Sequence, residues 1–365
     1  MKILFLCKRR PQGRDLLTRP YGRFFYLPYH LAKQGHDVKI LLLGYDDDPP
    51  FHGHAHGMEW YVESLRPLMK NGGFLVYLRR AQMLVRTDKL DWIIGFSDTW
   101  YGILAAHLGQ KFGIKTLVDA YDNYESYIPW AKPLHWVWRS TLRNATALTA
   151  AGPQLATLMS QGREGNPAVV IPMAADPLFQ PIIDDSLRKH FCLPEGVPLI
   201  GYCGALYRNR GVEVMFQAMK RLLNDIPDAK LVISGRHEQG LEIPETIRNA
   251  VIQLGYLSDE EIPLLLNALD VLVVVNLNSA FGYYSYPVKL YEAMRCHKPI
   301  VASDTAGTSW ILRDHPECLV ESGKPEDLAR RLREALSWKT KEYMSNCDWA
   351  YSASMMEELL ETAQT

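Results

Sequence analysis

Short apolar runs rich in β-branched residues alternate along the chain with longer stretches whose apolar positions recur at helical spacing. Ile3–Cys7, Val38–Leu43, Trp92–Phe96, Thr116–Val118, Ala147–Thr149 and Val169–Ile171 predict one series of strands. Leu199–Cys203, Lys230–Ser234, Val271–Val275 and Pro299–Ala302 predict a second. Several runs are continuously apolar, as strands buried on both faces of a parallel sheet are. Between them lie amphipathic helices. In the clearest, Val212, Met215, Phe216, Met219, Leu222 and Leu223 recur at i, i+3, i+4, i+7. Strand–helix alternation of this kind predicts an α/β fold with parallel sheets and right-handed crossovers.

The pattern starts twice, at Ile3 and again at Leu199, and 365 residues suit about two domains. Ile171-Pro172, Pro177 and Pro181 mark a linker around residues 173–185. The chain therefore reads as two Rossmann-like domains, 1–175 and 176–345, followed by a segment 346–365. Ligands of open α/β sheets bind at the carboxyl ends of the strands, so two such sheets facing each other would enclose one central cleft.

Composition leaves room for a sizeable core, at 47% hydrophobic and 22% charged residues. The net charge of −1 hides an asymmetry: Met1 to Asp176 carries 21 Lys+Arg against 15 Asp+Glu, the remainder 19 against 26. A basic N-terminal half is open to two readings, attraction between the domains or a face turned toward an anionic membrane or phosphorylated acceptor. Neither half is basic enough to point to nucleic acid. Cys7, Cys192, Cys203, Cys296, Cys318 and Cys347 show no CxxC spacing and read as free thiols of a reducing compartment. The apolar run before Lys8-Arg9-Arg10 is too short for a signal-peptide core, and no stretch spans a membrane. The expectation is a cytoplasmic protein, or one peripheral to the inner leaflet.

Candidate chemistry concentrates in three segments. After Leu199–Cys203, the turn Gly204-Ala205-Leu206-Tyr207-Arg208-Asn209-Arg210-Gly211 leads into a helix. A helix N-terminus with two adjacent cations suits a diphosphate, although an ordinary strand–helix turn with solvated arginines has the same residues. In Ser285-Tyr286-Pro287-Val288-Lys289-Leu290-Tyr291-Glu292, Pro287 starts a helix and Glu292 lies about one turn in. A carboxylate there can accept hydrogen bonds from ribose hydroxyls; the alternative is a surface Lys289–Glu292 salt pair. After Thr116–Val118, Asp119-Ala120-Tyr121-Asp122 offers carboxylates able to deprotonate or orient a hydroxyl, or merely to cap the next helix. Ser97-Asp98 follows another strand end.

Other conspicuous residues read as mundane. His52, His54 and His56, after Asp46-Asp47-Asp48, lack a metal-binding pattern and read as a solvated loop, so no metal is expected. Trp130, Trp136 and Trp138 read as core or as lining of an acceptor groove. Leu68 to Leu90 reads as a membrane-surface helix or a buried helix with a basic rim.

Five segments, in order, resemble the retaining two-Rossmann-domain (GT-B) glycosyltransferases of family 4, also called group 1. Leu27-Pro28-Tyr29-His30-Leu31-Ala32-Lys33-Gln34-Gly35-His36-Asp37-Val38 resembles its helix-to-strand passage. Val170 to Phe179 resembles its interdomain linker. Gly204–Gly211 is similar to its diphosphate loop, and Gly255-Tyr256-Leu257-Ser258-Asp259-Glu260-Glu261 to its base-binding passage. Lys289 to Ser303 resembles its "K..EAMA.GKPVVAS". The resemblance implies that Arg210 binds the diphosphate and Glu292 the ribose, with Tyr256 and Leu257 bordering the base. It implies that Gly22 lets backbone approach the donor, that Asp304 to Gly307 lie beside the site, and that residues 346–365 form a helix crossing back to the first domain. Asp122 becomes the acceptor-side candidate, with Asp119 its alternate. Two family residues are missing. The loop arginine is Ala205, with Arg208 the candidate replacement. The first glutamate of the Glu-x7-Glu motif falls on Tyr284 or Ser279, leaving Lys289 to take over part of its role.

The implied function is retaining, metal-independent transfer from a UDP- or GDP-sugar to a glycan or lipid-linked acceptor, with no separate cofactor. Two rivals are a nucleotide-sugar 2-epimerase and a catalytically weak sugar-nucleotide-binding subunit.

Overall fold

The computed structural model describes residues 1–46, 48–65, 74–343 and 348–363. Asp47, Cys347 and the first residues of the stretch Leu68 to Leu90, singled out above, lie outside them. The chain divides into two compact units, Met1–Met173 with Asp348–Thr365, and Ala174–Cys347.

The first unit holds strands β1 (Lys2–Lys8), β2 (Asp37–Gly44), β3 (Phe51–Ala55), β4 (Met58–Ser64), β5 (Trp92–Gly95), β6 (Lys115–Ala120), β7 (Ala147–Ala150) and β8 (Val169–Val170). They form one sheet in the order β3-β4-β2-β1-β5-β6-β7-β8, parallel throughout except for β3 against β4. Ile3, Leu4, Phe5 and Leu6 are fully buried, because β1 is flanked on both edges and covered on both faces. Helix Trp349–Thr362 belongs to this unit. It packs on helix Gly22–Lys33 through stacked Tyr26 and Trp349 rings 6.2 Å apart, and Glu357 contacts His36, just beyond that helix, at 2.7 Å.

The structure corrects several expectations here. The histidine run is not a loop but strand β3 of an antiparallel hairpin. His56 (φ 56°) and Gly57 (φ 76°) make its tight turn, in which both central residues are left-handed. His52 stacks on Tyr61 with centroids 4.3 Å apart and bonds Glu59, while the His56 ring meets Phe25. Trp138 is core, but Trp130 and Trp136 are exposed. Helix Phe74–Thr87 buries Tyr77, Ala81, Leu84 and Val85, and Arg80 on its rim pairs with Glu63. That is the buried-helix reading with a basic rim.

The second unit holds β9 (Leu199–Cys203), β10 (Lys230–Ser234), β11 (Val251–Gly255), β12 (Val271–Val274), β13 (Ile300–Asp304) and β14 (Leu319–Glu321), all parallel, in the order β11-β10-β9-β12-β13-β14. Helix Val212–Asp225 presses Val212, Met215, Phe216, Met219 and Leu222 onto the sheet. The edge strands β11 and β14 have no counterpart among the predicted strands: one is half-exposed and the other is three residues long. Cys7, Cys203, Cys296 and Cys318 are buried and Cys192 exposed, all as free thiols. Among the described residues no helix is long and apolar enough to cross a membrane.

Candidate functional site

In the second unit the chain winds from β9 outward to β11, then returns to the other side of β9 to lay down β12, β13 and β14. The strand order reverses between β9 and β12. Loops leaving the carboxyl ends of those two strands diverge there, which is where open sheets bind ligands.

The loop after β9 opens with Gly204 at φ +139°. Its amide donates to the Ser234 carbonyl, 2.8 Å away. A Cβ on the neighbouring Gly235 (φ +131°) would fall 2.3 Å from the Gly204 carbonyl oxygen, so the close approach of the loops after β9 and β10 requires glycine at 235. Arg208–Arg210 then form a single helical turn, and left-handed Gly211 starts helix Val212–Asp225 without a side-chain cap. Gly211 has no side chain to cap that helix, and although the Val214 amide donates to the Gly211 carbonyl at 3.0 Å, such a helix N-terminus suits an anion. A Cβ on Gly211 would meet Leu277 of the loop after β12 at 3.0 Å. The Arg210 guanidinium lies over the rings of Tyr207 (5.4 Å) and Phe281 (5.6 Å), bridging the loops after β9 and β12. Arg208 is turned elsewhere. Its amide donates to Glu238 at 2.7 Å, and its guanidinium reaches Glu213 at 3.5 Å and the Gly240 carbonyl.

Helix Val288–Arg295 brings Lys289 and Glu292 to the same place. Lys289 Nζ is 4.4 Å from the Tyr202 ring centroid and 2.8 Å from where a Gly204 Cβ would stand. Cys203, the last residue of β9, senses both charges. Burial pushes its thiol up to about 12; Lys289 opposes the rise and Glu292 adds to it. Lys289 and Glu292 thus both stand at the carboxyl end of β9. The predicted residues Gly204, Arg210, Lys289 and Glu292 are therefore brought together.

Tyr256 and Leu257 sit after edge strand β11. Tyr256 is 59% exposed, with the Arg236 guanidinium 5.5 Å from its ring centroid. Asp304 to Gly307 open helix Ala306–Ile311, and Asp304, Thr305, Ala306 and Ser309 share a shallow cavity with Asn278 and Ser322. Neither position considered for the missing glutamate supplies a carboxylate, and Ser279 caps helix Ala280–Tyr283 through the Gly282 amide at 3.1 Å. Sequence reasoning missed Tyr202, Phe281 and Gly235. The first two are aromatic neighbours across loops and leave no local signal; Gly235, directly after a strand, could have been found.

In the first unit the order reverses at β1. The loop after β1 carries Arg9 and Arg10, which are bound to acidic partners: Arg9 to Asp15 (2.9 Å) and Asp48 (3.4 Å), Arg10 to Asp48 (2.7 Å) and Asp46 (3.2 Å). The acidic run before β3 is thus the counter-charge of this loop. Gly22, at φ +61°, begins helix Gly22–Lys33. Ser97 is held left-handed at φ 71° and accepts the Lys8 amide at 3.0 Å. Asp98 caps helix Thr99–Phe112.

The two carboxylates after β6 have different fates. Asp119 is fully buried against Arg23, which bonds it at 2.9 Å and donates to the Ile171 carbonyl at 2.6 Å; Thr149 adds a bond at 2.6 Å. Asp119 is consequently a structural ion-pair partner, and its reading as the alternate acceptor-side base is withdrawn. Asp122 is partly exposed. It accepts the Asn123 amide at 2.8 Å and the Tyr127 hydroxyl.

Residues 26–174 match the family described as glycosyl transferase 4-like domain, and residues 197–337 that described as glycosyl transferases group 1. The 2-deoxystreptamine glucosyltransferase of Streptomyces kanamyceticus is 27% identical over 212 residues, 55% of this chain and 54% of its own. A D-inositol 3-phosphate glycosyltransferase of Corynebacterium aurimucosum is 25% identical over 224 residues, 55% of this chain and 52% of its own. The chain spans about half the length of the curated relatives it matches. Two solved structures share the fold. Sucrose-phosphate synthase from Thermosynechococcus elongatus has a TM-score of 0.73 at 19% identity, covering 99% of this chain and 98% of its own. Anabaena HepE in complex with UDP and glucose has 0.73 at 18%, covering 99% and 100%. With both of its halves matched in order and both sheets in place, the chain belongs to the group 1 glycosyltransferases and has the GT-B fold.

Proposed function

We propose that the protein transfers a sugar from a UDP- or GDP-sugar to a glycan or lipid-linked acceptor, with retention at the anomeric carbon and without a metal ion. The observation that carries this reading is the convergence of Arg210, Lys289, Glu292 and an uncapped helix N-terminus where the second sheet reverses its strand order. Two fixed cations and backbone amides offset the charge that grows on a departing diphosphate, which is the task a divalent metal performs elsewhere. Glu292 accepts from the ribose hydroxyls, and Tyr256 and Leu257 border the base. Asp122 orients or deprotonates the acceptor hydroxyl. Retention and the acceptor class rest on the family resemblance. The relative named as a 2-deoxystreptamine glucosyltransferase and the neighbour solved with UDP and glucose support a nucleotide-sugar donor.

The test is thermal denaturation against UDP, GDP, ADP and their sugars, followed by transfer assays. A ligand binding only the native state raises Tm with concentration. A rise with a uridine or guanosine donor, and loss of transfer in Arg210→Ala, is the expected result. Wild-type transfer by purified Arg210→Ala would overturn the assignment.

A further inference from the structure

Two neighbouring helices of the first unit, Thr99–Phe112 and Lys132–Asn144, contain no acidic residue between them. They carry Lys111, Lys132, Arg139 and Arg143, and Lys115 is the first residue of β6. Only Arg139 of these is in an ion pair among the described residues, with Glu125. The helix Lys132–Asn144 turns His135, Trp138, Thr141 and Leu142 inward. Helical spacing then sets Lys132, Trp136, Val137, Ser140 and Arg143 on the opposite, outward face. Trp136 is 71% exposed, and Trp130, in the turn just before the helix, is 80% exposed. Trp136 and Val137 also line an open groove with Ile103, Ala106, His107 and Gln110 of the other helix.

A soluble surface gains nothing from two bare indoles, each of which leaves a large apolar area in water. Their combination with Lys132 and Arg143, on helices that carry no carboxylate of their own, is what the interfacial zone of an anionic bilayer selects: indoles settle at headgroup level, and Lys and Arg meet the phosphates. A protein partner would need its own acidic, aromatic-accepting surface; a lipid surface needs only charge and depth. We propose that this face, centred on Trp130, Trp136, Lys132 and Arg143, docks the protein onto anionic membrane. It deepens the proposed reading, in which the acceptor is lipid-linked, but its physics is independent of the donor site.

The experiment is co-sedimentation of the full chain with vesicles of phosphatidylcholine alone or mixed with phosphatidylglycerol, at low and high salt. Wild type is expected on the mixed vesicles, released by salt, with a blue shift of tryptophan emission. Trp130→Ala/Trp136→Ala should bind about tenfold more weakly, and Lys132→Gln/Arg143→Gln should lose the preference for anionic lipid. Donor-induced Tm shifts reveal whether each variant is folded; none of these residues belongs to the donor site. Equal binding by the tryptophan variant, no wild-type binding at low salt, or a concentration-dependent blue shift without lipid, which signals self-association through the indoles, overturns the proposal. Absence of vesicle binding by a wild type that still binds donor sinks this inference alone, whereas absence of donor binding in wild type sinks the functional reading.

Discussion

The Lys289 ammonium stands 4.4 Å from the centre of the Tyr202 ring and fills the space that a side chain on Gly204 would need, 2.8 Å from the Cβ position. A strand residue, the glycine after it and a helix from much later in the chain thus define one point. The aromatic face stabilises the cation without neutralising it, leaving its charge for an anion.

Gly204→Ala should push the ammonium off the ring and strain a backbone held at φ +139°. We expect a stability loss of about 1–3 kcal/mol in urea unfolding and donor binding weakened about tenfold. Lys289→Ala should cost comparable affinity. Because both act on one contact, the double variant should bind little worse than the worse single variant. Calorimetric titration of the four proteins with donor measures this, and strictly additive losses would show that the contact has no role in binding.

Much of this geometry was legible in the sequence, for a physical reason. Strands Leu199–Cys203 and Lys230–Ser234 are read to the residue because a strand buried on both faces must be apolar throughout. Gly204, Arg210, Lys289 and Glu292 announced themselves by position in the loop after a strand and within the first two turns of a helix. What was not legible depends on partners distant in sequence. Asp119 and Asp122 look alike in the chain, yet one is claimed by Arg23, 96 residues away, and the other is not. The hairpin Phe51–Ser64 was hidden because β3 is an exposed edge strand whose histidines carry no apolar alternation. Trp130 and Trp136 defeat composition-based reasoning altogether, since indoles are ordinarily interior.

Arg208 and Arg210 are near neighbours in sequence with unlike surroundings. Arg208 is held by Glu238, Glu213 and the Gly240 carbonyl, whereas Arg210 spans two loops over Tyr207 and Phe281. Arg210→Ala should lower kcat about 10²-fold or more, as removal of a group that stabilises developing charge does. Arg208→Ala should lower it less than about fivefold and act mainly through loop order, a difference within about 1 kcal/mol. Steady-state rates with saturating donor separate the two, and equal losses would contradict the assignment of the diphosphate to Arg210.

For the carboxylates after β6 the prediction is a crossed pattern. Asp119→Asn leaves the Arg23 charge buried and unbalanced, so unfolding free energy should fall by about 3–5 kcal/mol. Asp122→Asn should cost far less stability than Asp119→Asn, since Asp122 is partly exposed and bonds an exposed tyrosine and a turn amide, and should cut transfer at least about tenfold. Denaturant melts and initial rates on both proteins test it. A stable, inactive Asp119→Asn would return the acceptor-side role to Asp119.

Glu59 on β4 sets an acid limit on the first unit. Burial raises its carboxyl, but hydrogen bonds from Lys39, Tyr61 and His52 together with the Lys39 charge outweigh burial and bring it down to about 2. A carboxyl bound more tightly as the anion in the folded state stabilises that state above its unfolded pKa of about 4.3, and the contribution disappears as pH falls toward 2. Wild type should therefore lose stability across that window, by an amount on the order of 1–3 kcal/mol from this group. Glu59→Gln should be less stable than wild type at neutral pH, and the difference should shrink as pH approaches 2. Lys39 keeps Asp88 at 3.0 Å in the variant, so it is not left without a counter-charge. Urea unfolding of both proteins at a series of pH values follows the gap directly; a gap that stays constant down to pH 2 would show that Glu59 carries no linked proton.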